Sequence, residues 1–360
     1  MSDSPKSLLV PVPDKIYRVA QWATGRIGTI SLREIINAQQ FELVGVYVHS
    51  KDKDGKDAGE LCGLPPTGVV ATTDIEKIIG LKPDCIISTQ EGCNLDEVCH
   101  FLEAGINIVT SRVDYLEPKR MDSEVRRRTQ EACSRGNASI HATGSSPGFS
   151  SDVLPLATLA MSRSMESLTI DEFADLPASC PDVQIIDGMG FGREPGDEFN
   201  KGILDHVSQG FIQSVQVVAD AIGVHLDGFE VFGETANARE RFLLPGGSPI
   251  EGGTVAAQRI TVSGVANGKS VIRFRLNWYC TLDIDQDWDL RGNGWHVLAL
   301  GEAPVSAYIS FPVEKERMSN AMGSLTAYRV LNAVPYVCAA TAGIKTSMDL
   351  PFIVPKIRLA

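Results

Sequence analysis

Gly25 and Gly28 close the run Val19-Ala-Gln-Trp-Ala-Thr-Gly-Arg-Ile-Gly28, where an apolar alternating stretch passes into a helical one. Two glycines at a strand–turn–helix junction can hold a pyrophosphate. The first N–H groups of a helix have no partner within it, and the aligned peptide dipoles place partial positive charge there. Gly25 would let the backbone approach the phosphate, and Gly28 would let the helix pack close to the strand. The cradle is expected to run through Ala23, Thr24, Gly25, Arg26, Ile27 and Gly28. The first glycine of the G-x-G-x-x-G fingerprint is missing, with Ala23 in its place, so the surrounding pattern must carry the reading. The bland alternative is a tight turn in another α/β domain.

That pattern is a repeated alternation of strands and helices. A second strand over residues 41–48 follows at the spacing of a right-handed βαβ unit. Its end reads His49-Ser50-Lys51, where NAD enzymes usually carry the acid that binds the ribose 2′-hydroxyl. Lys51 can neutralise a 2′-phosphate and Ser50 can donate to it, which points to NADP. Asp52 stands close enough to admit NAD as well. The buried strand Asp84-Cys-Ile-Ile-Ser-Thr89 should bring Thr89 and Gln90 to the ligand edge of the sheet. A short strand near 68–72, a helix opened by Thr73-Asp74, a helix over 95–104, a strand over 107–110, a helical face over 126–135 and a strand over 138–143 complete a doubly wound Rossmann domain spanning 1–148.

The alternation stops at Gly144-Ser-Ser-Pro-Gly-Phe149. Residues 149–317 read as an α+β domain with a mostly antiparallel sheet, for substrate binding and dimerisation. It has helices over 152–161 and 211–222, a glycine-rich loop over 188–202, and two alternating strands joined by Asn267-Gly268, a hairpin signal. Residues 318–360 form a helix and tail expected to pack back on the Rossmann domain.

The 360 residues carry a net charge of −12, which disfavours nucleic acid as a partner. No apolar run approaches the roughly 20 residues that span a bilayer, and residues 1–14 do not read as a signal peptide. The expectation is a cytoplasmic protein with no membrane partner. Eight cysteines without C-x-x-C spacing read as reduced thiols, and no metal site is expected.

Four segments in order resemble one family: Val19 to Gly28, Gly55-Lys-Asp-Ala-Gly-Glu-Leu-Cys-Gly63, Thr143-Gly-Ser-Ser-Pro-Gly-Phe149 and Thr326-Ala-Tyr-Arg-Val-Leu-Asn-Ala-Val-Pro335. They are similar to the 2,4-diaminopentanoate dehydrogenase-like proteins, which include the native amine dehydrogenases and are often labelled as dihydrodipicolinate reductase N-terminal-domain proteins. The resemblance implies a Rossmann domain, an α+β substrate domain, NADP or NAD, and a homodimer. The implied chemistry is reversible oxidative deamination, or reductive amination of a small or medium apolar ketone or aldehyde with ammonia. The His-His-x-x-Lys and Asp-Ala-Pro-Ser-Gly-Thr segments of true dihydrodipicolinate reductase are absent.

Hydride transfer to an imine needs a carboxylate that pairs with the cation and moves the amine proton. The resemblance supplies it from a Glu-Glu segment, matched here by Ser111-Arg-Val-Asp-Tyr-Leu-Glu-Pro118, in which Val113 and Asp114 occupy the glutamate positions. Asp114 and Glu117 are the remaining carboxylate candidates, and Asp114 also reads as a loop carboxylate paired with Arg112. Tyr115 is the candidate acid for a carbonyl. Ser111 is counted among the cofactor contacts. Asn332 matches the family asparagine that holds the nicotinamide amide. The apolar pocket candidates are Phe149, Phe173, Met189, Phe191 and Trp295. Two rival readings remain: an NAD(P)H-dependent carbonyl or imine reductase without ammonia, and a non-catalytic nucleotide-binding protein.

Overall fold

A computed structural model describes residues 15–356, apart from 91, 93, 197, 198 and 200. The N-terminal stretch considered above, Cys93 and part of the 188–202 loop lie outside the described residues. The chain divides into two compact units, Met1–Gly148 with Gly323–Ala360, and Phe149–Met322.

In the first unit the elements run β1 (Tyr17–Trp22), α1 (Arg26–Asn37), β2 (Phe41–Tyr47), α2 (Ala58–Cys62), β3 (Ala71–Thr72), α3 (Ile75–Gly80), β4 (Cys85–Ser88), α4 (Leu95–Glu103), β5 (Asn107–Thr110), α5 (Ser123–Gly136) and β6 (Ser139–Ala142). A last strand, Gly343–Lys345, pairs with β6. The sheet order from that strand is β6-β5-β4-β1-β2-β3, and every pair is parallel. This is the doubly wound arrangement in which the strand order, not the strand direction, reverses beside β1.

Both faces of this sheet are covered, which is why its strands read as continuous apolar runs. Ala20, Trp22, Ile86, Ile108 and Ile140 pack with Phe101 and Leu102 of α4 and with Ala132 of α5. On the opposite face Val19, Ile87 and Val109 meet Ile35 of α1 and Val330, Leu331, Val334 and Val337 of the C-terminal helix Lys315–Ala339. In α1 the buried positions are Gly28, Ser31, Leu32 and Ile35, one stripe at helical spacing.

His141, in β6, is fully buried, and burial pushes its imidazole down to about 4. Its Nδ1 lies 2.8 Å from the Lys345 carbonyl. Because the folded-state value lies below the unfolded one near 6.5, stability from the neutral ring is complete above pH 6.5 and is lost as pH falls toward 4. The loss is about 3 kcal/mol. Urea titrations across this range should show the slope, and His141→Gln should flatten it.

The second unit contains α6 (Leu154–Leu159), β7 (Ser167–Asp175), α7 (Lys201–Ala221), β8 (Gly228–Asn237), β9 (Phe242–Leu243), β10 (Pro249–Ile250), β11 (Val255–Ala266), β12 (Lys269–Tyr279), β13 (Gly294–Leu300) and β14 (Val305–Ser310). Its six-stranded sheet runs β14-β13-β7-β12-β11-β8, and only β7 and β12 pair in parallel. The β11–β12 hairpin closes at Asn267 and Gly268, whose φ values of 52° and 70° are those a two-residue turn of this hand requires.

One face of the sheet, with Leu168, Ile170, Ile260, Phe274 and Val297, packs on Phe211, Val215 and Val218 of α7. The other face carries a polar network. Asp171 is buried and accepts from Arg275 Nε at 2.5 Å and from a terminal guanidinium nitrogen at 2.6 Å. Asn277 links Asp171 to Arg259, whose guanidinium lies 4.4 Å from the Trp288 ring centre.

Several elements of the second unit differ from the sequence reading. The α7 helix starts at Lys201 rather than near 211, because Ile203, Leu204 and Val207 extend its apolar stripe. The helix expected over 152–161 is confined to Leu154–Leu159, after a wide-turned segment, Ser145–Val153, that is broken where Gly148 takes a φ of 123°. Strand β8 was not read from sequence. It is an edge strand whose half-buried positions blur the alternation, and Phe232 on it is 62% exposed.

Candidate active site

The glycine turn is built by steric necessity. A Cβ on Gly28 would lie 2.2 Å from the Ala23 carbonyl oxygen and 2.7 Å from Thr89 Oγ1. A Cβ on Gly25 would meet nothing within 4 Å, so the turn faces open space there. Ala23 takes a φ of 70°, the left-handed conformation that the absent fingerprint glycine would adopt freely. An alanine there costs about 1–2 kcal/mol. Gln21, buried in β1, donates from Nε2 to the Ala23 carbonyl at 2.9 Å and to Thr89 Oγ1 at 3.0 Å, tying the turn to the end of β4. Gln21 was missed from sequence, although a glutamine inside an apolar strand was a visible signal.

The first turn of α1 has no side-chain cap and no acidic residue. Its positive end thus has no negative group of its own, which suits an anionic ligand. Gln90, at the end of β4, is 7% exposed, and its Nε2 has no hydrogen-bond partner among the described residues. Open space at Gly25, an uncapped helix end and a buried orphan donor fit a dinucleotide. Ser111 follows β5 and donates its backbone N–H to the Ser88 carbonyl at 3.1 Å.

At the end of β2, Lys51 is exposed and Ser50 donates to Asp52, whose carboxyl that bond holds below the usual range. His49 lies 3.0 Å from Glu97, which also accepts from the Tyr47 hydroxyl at 2.6 Å. Lys53 also reaches the turn, where its Nζ donates to the Thr24 carbonyl at 3.0 Å and to Thr24 Oγ1 at 3.1 Å. Nothing local in the sequence distinguishes Lys53 from Lys51.

The 111–118 segment gives its three candidates different surroundings. Asp114 is ion-paired with Arg112 and has 43% of its side chain exposed. Glu117 is buried and caps the turn Pro118–Arg120 by accepting from Lys119 N at 2.8 Å. Tyr115 is 1% exposed, inside the core cluster of α4, α5 and the sheet.

Asn332 lies with Lys15, Tyr17, Gln40 and Pro335 at the amino end of β1, whereas the glycine turn follows the carboxyl end. The six residues from Tyr17 to Trp22 separate the two ends by about 17 Å. The C-terminal helix meets α1 earlier, at Gly323, where a Cβ would stand 2.7 Å from Ile30 Cδ1. Asn332 therefore lies at the opposite end of β1 from the glycine turn.

In the second unit, the pocket candidates separate into two groups. Phe173, Phe191 and Met189 belong to the core around Ile185 and Tyr279. Phe149 and Trp295 come together, with ring centres 5.9 Å apart, and Phe311 crosses Trp295 edge-on at 4.9 Å. Trp295 Nε1 donates to Glu172 at 3.2 Å.

No group of three or more His, Cys, Asp or Glu among the described residues is placed to hold a metal ion. No helix among them is long and apolar enough to cross a membrane.

Residues 149–358 match the family model described as the 2,4-diaminopentanoate dehydrogenase C-terminal domain, and residues 22–111 match the dihydrodipicolinate reductase N-terminus. An amine dehydrogenase of Streptomyces virginiae is 25% identical over 348 residues, covering 92% of this chain and 95% of the relative. A 4-hydroxy-tetrahydrodipicolinate reductase of Synechococcus elongatus is 32% identical over 97 residues, 25% of this chain and 36% of that protein. Among solved structures, the amine dehydrogenase of Mycobacterium smegmatis superimposes with a TM-score of 0.73 at 15% identity, covering 95% of this chain and 98% of that one. The scyllo-inositol dehydrogenase of Lactobacillus casei, solved with NAD(H), gives 0.52 at 14% identity, with 89% of each chain covered.

Proposed function

The chain belongs to the 2,4-diaminopentanoate dehydrogenase family, and from that premise we propose that it is an NAD(P)-dependent amine dehydrogenase. Its reaction is the reversible reductive amination of small or medium apolar ketones or aldehydes with ammonia. The observation that carries this reading is the similarity to the Streptomyces virginiae amine dehydrogenase over 92% of the chain and 95% of that relative. The cofactor is NADP, with NAD used as well, and the protein works as a cytoplasmic homodimer.

The bound dinucleotide supplies or accepts the hydride. The other tasks fall to the chain. The N–H groups at the start of α1 hold the pyrophosphate in the space beside Gly25. Lys53, anchored on Thr24, adds a cation at the turn, and Gln90 offers its unpartnered Nε2. Of the three candidates Asp114, Tyr115 and Glu117, Asp114 is the one with solvent access, so it is assigned the proton of the amine nitrogen, oriented by Arg112. Val113, where the family carries a glutamate, favours a second reading: an NAD(P)H-dependent carbonyl or imine reductase that does not use ammonia.

The test is NADPH and NADH oxidation with a panel of ketones and aldehydes, with and without ammonium at mildly alkaline pH. Turnover should require ammonium, and Asp114→Asn should lower kcat by at least about tenfold while leaving cofactor affinity intact. Turnover indifferent to ammonium would establish the reductase instead. Cofactor binding without turnover of any carbonyl would indicate a nucleotide-binding protein without catalysis.

A further inference from the structure

Ala23 stands where the dinucleotide fingerprint carries a glycine, and its φ of 70° lies in the left-handed region that an L side chain disfavours. Contacts outside the residue must hold it there. Its N–H donates to the Tyr47 carbonyl of β2 at 2.9 Å, which extends the sheet ladder by one residue. Its carbonyl is taken by a side chain: Gln21 Nε2 donates to it at 2.9 Å. The same nitrogen donates to the Trp22 carbonyl at 3.1 Å and to Thr89 Oγ1 at 3.0 Å. Thr89 in turn donates its backbone N–H to the Trp22 carbonyl at 3.2 Å.

Gln21 is fully buried between Ala20 and Trp22, in a strand whose position in the sheet suits apolar side chains. A buried amide must replace its lost water with hydrogen bonds. Gln21 finds its Nε2 partners in the turn and at the end of β4, while its Oε1 has none among the described residues. Two of those partners are backbone carbonyls, which have no proton to give, so only the NH2 end of an amide can face them. The Ala23 carbonyl oxygen and Thr89 Oγ1 are also the two oxygens on which Gly28 packs, at 2.2 and 2.7 Å from the place of an added Cβ. One amide therefore holds the bend at Ala23 and the backing of the helix start together.

We propose that Gln21 is a positioning residue for the dinucleotide. It holds Ala23 left-handed, and so does by hydrogen bonding what the missing glycine would do by conformational freedom. It acts through Ala23 and Thr89, which set where the first N–H groups of α1 point. The inference rests on the NAD(P) reading for its ligand. Its particular consequence is suppression: a glycine in place of Ala23 should make the amide dispensable for cofactor binding.

The test uses the full chain with two readouts. Hydrogen exchange of residues 22–32, followed by mass spectrometry without cofactor, reads the turn, and fluorescence titration with NADPH and NADH reads binding. Gln21→Met keeps the volume and removes the donor. It should speed exchange in that segment about tenfold and weaken NADPH about tenfold. Adding Ala23→Gly should return the affinity to within about threefold of wild type. The melting temperature of the double variant should stay below wild type, because the carbonyl at position 23 still lacks its donor. Gln21→Asn, whose amide is one methylene short, should show the same loss and the same rescue, and it serves if Gln21→Met does not fold. Equal NADPH affinity in wild type and Gln21→Met would overturn the proposal and leave the cofactor reading standing. A loss that Ala23→Gly does not restore would also overturn it, since Gln21 would then act through stability alone. If the wild type binds neither nucleotide while exchange still rises in Gln21→Met and falls again with Ala23→Gly, the hold on the turn stands and the cofactor reading falls.

Discussion

Gly28→Val is expected to weaken NADPH and NADH binding by about 100-fold or more, because the whole start of α1 must move. The added Cβ would sit 2.2 Å from the Ala23 carbonyl oxygen, a backbone atom that cannot yield as a flexible side chain would. That carbonyl is held by the left-handed conformation of Ala23 and by the 2.9 Å bond from Gln21 Nε2. The helix end must therefore retreat from β1, carrying away the N–H groups that would face the pyrophosphate. Overpacking of this kind costs about 1–3 kcal/mol of stability as well. Gly25→Ala is the matched comparison: its Cβ meets nothing within 4 Å, so the fold should be untouched and only the approach of a ligand narrowed. Cofactor fluorescence titrations with thermal melts separate the two effects. Wild-type affinity in Gly28→Val would refute the assignment of the cradle.

Arg275→Ala is expected to destabilise the second unit by about 3–5 kcal/mol, a change of about a hundredfold to several thousandfold in its folding equilibrium. Its partner Asp171 has 4% of its side chain exposed and takes two short hydrogen bonds from the one guanidinium. Removing the arginine strands a buried carboxylate, and the remaining contacts, Asn277 Nδ2 at 3.3 Å and His296 Nδ1 at 3.8 Å, are longer. The loss comes from the uncompensated charge more than from the pair itself. The double variant Asp171→Asn with Arg275→Met should then recover most of the stability, because it removes both charges and keeps the packing. Urea unfolding followed by tryptophan fluorescence measures all three proteins. A loss below about 1 kcal/mol in Arg275→Ala would mean that water or the neighbouring groups already compensate Asp171.

Fold class was legible because its signals are short-range and redundant. The strands of the first unit are mainly apolar since helices cover both faces of the sheet, and Gly105 and Asn137 end helices where a left-handed residue is wanted. The hairpin at Asn267-Gly268 needs only four residues to be recognised. An edge strand such as β8 carries no such signal: only one of its neighbours is a strand, and its outward positions need not be polar.

The site was legible in part. Twelve contiguous residues, from Tyr17 to Gly28, determine by themselves a strand, a crowded glycine turn and an uncapped helix start, because each of those features depends on neighbours in the chain. Tertiary structure alone decided which charged groups meet which partners. Lys53 reaches Thr24 across 29 residues, and Glu172 meets Trp295 across 123. Asn332 resembles a cofactor ligand in its local motif, yet helix packing sets it at the far end of β1. Local periodicity records which face a residue occupies. The length and crossing of the intervening elements determine what stands opposite that face.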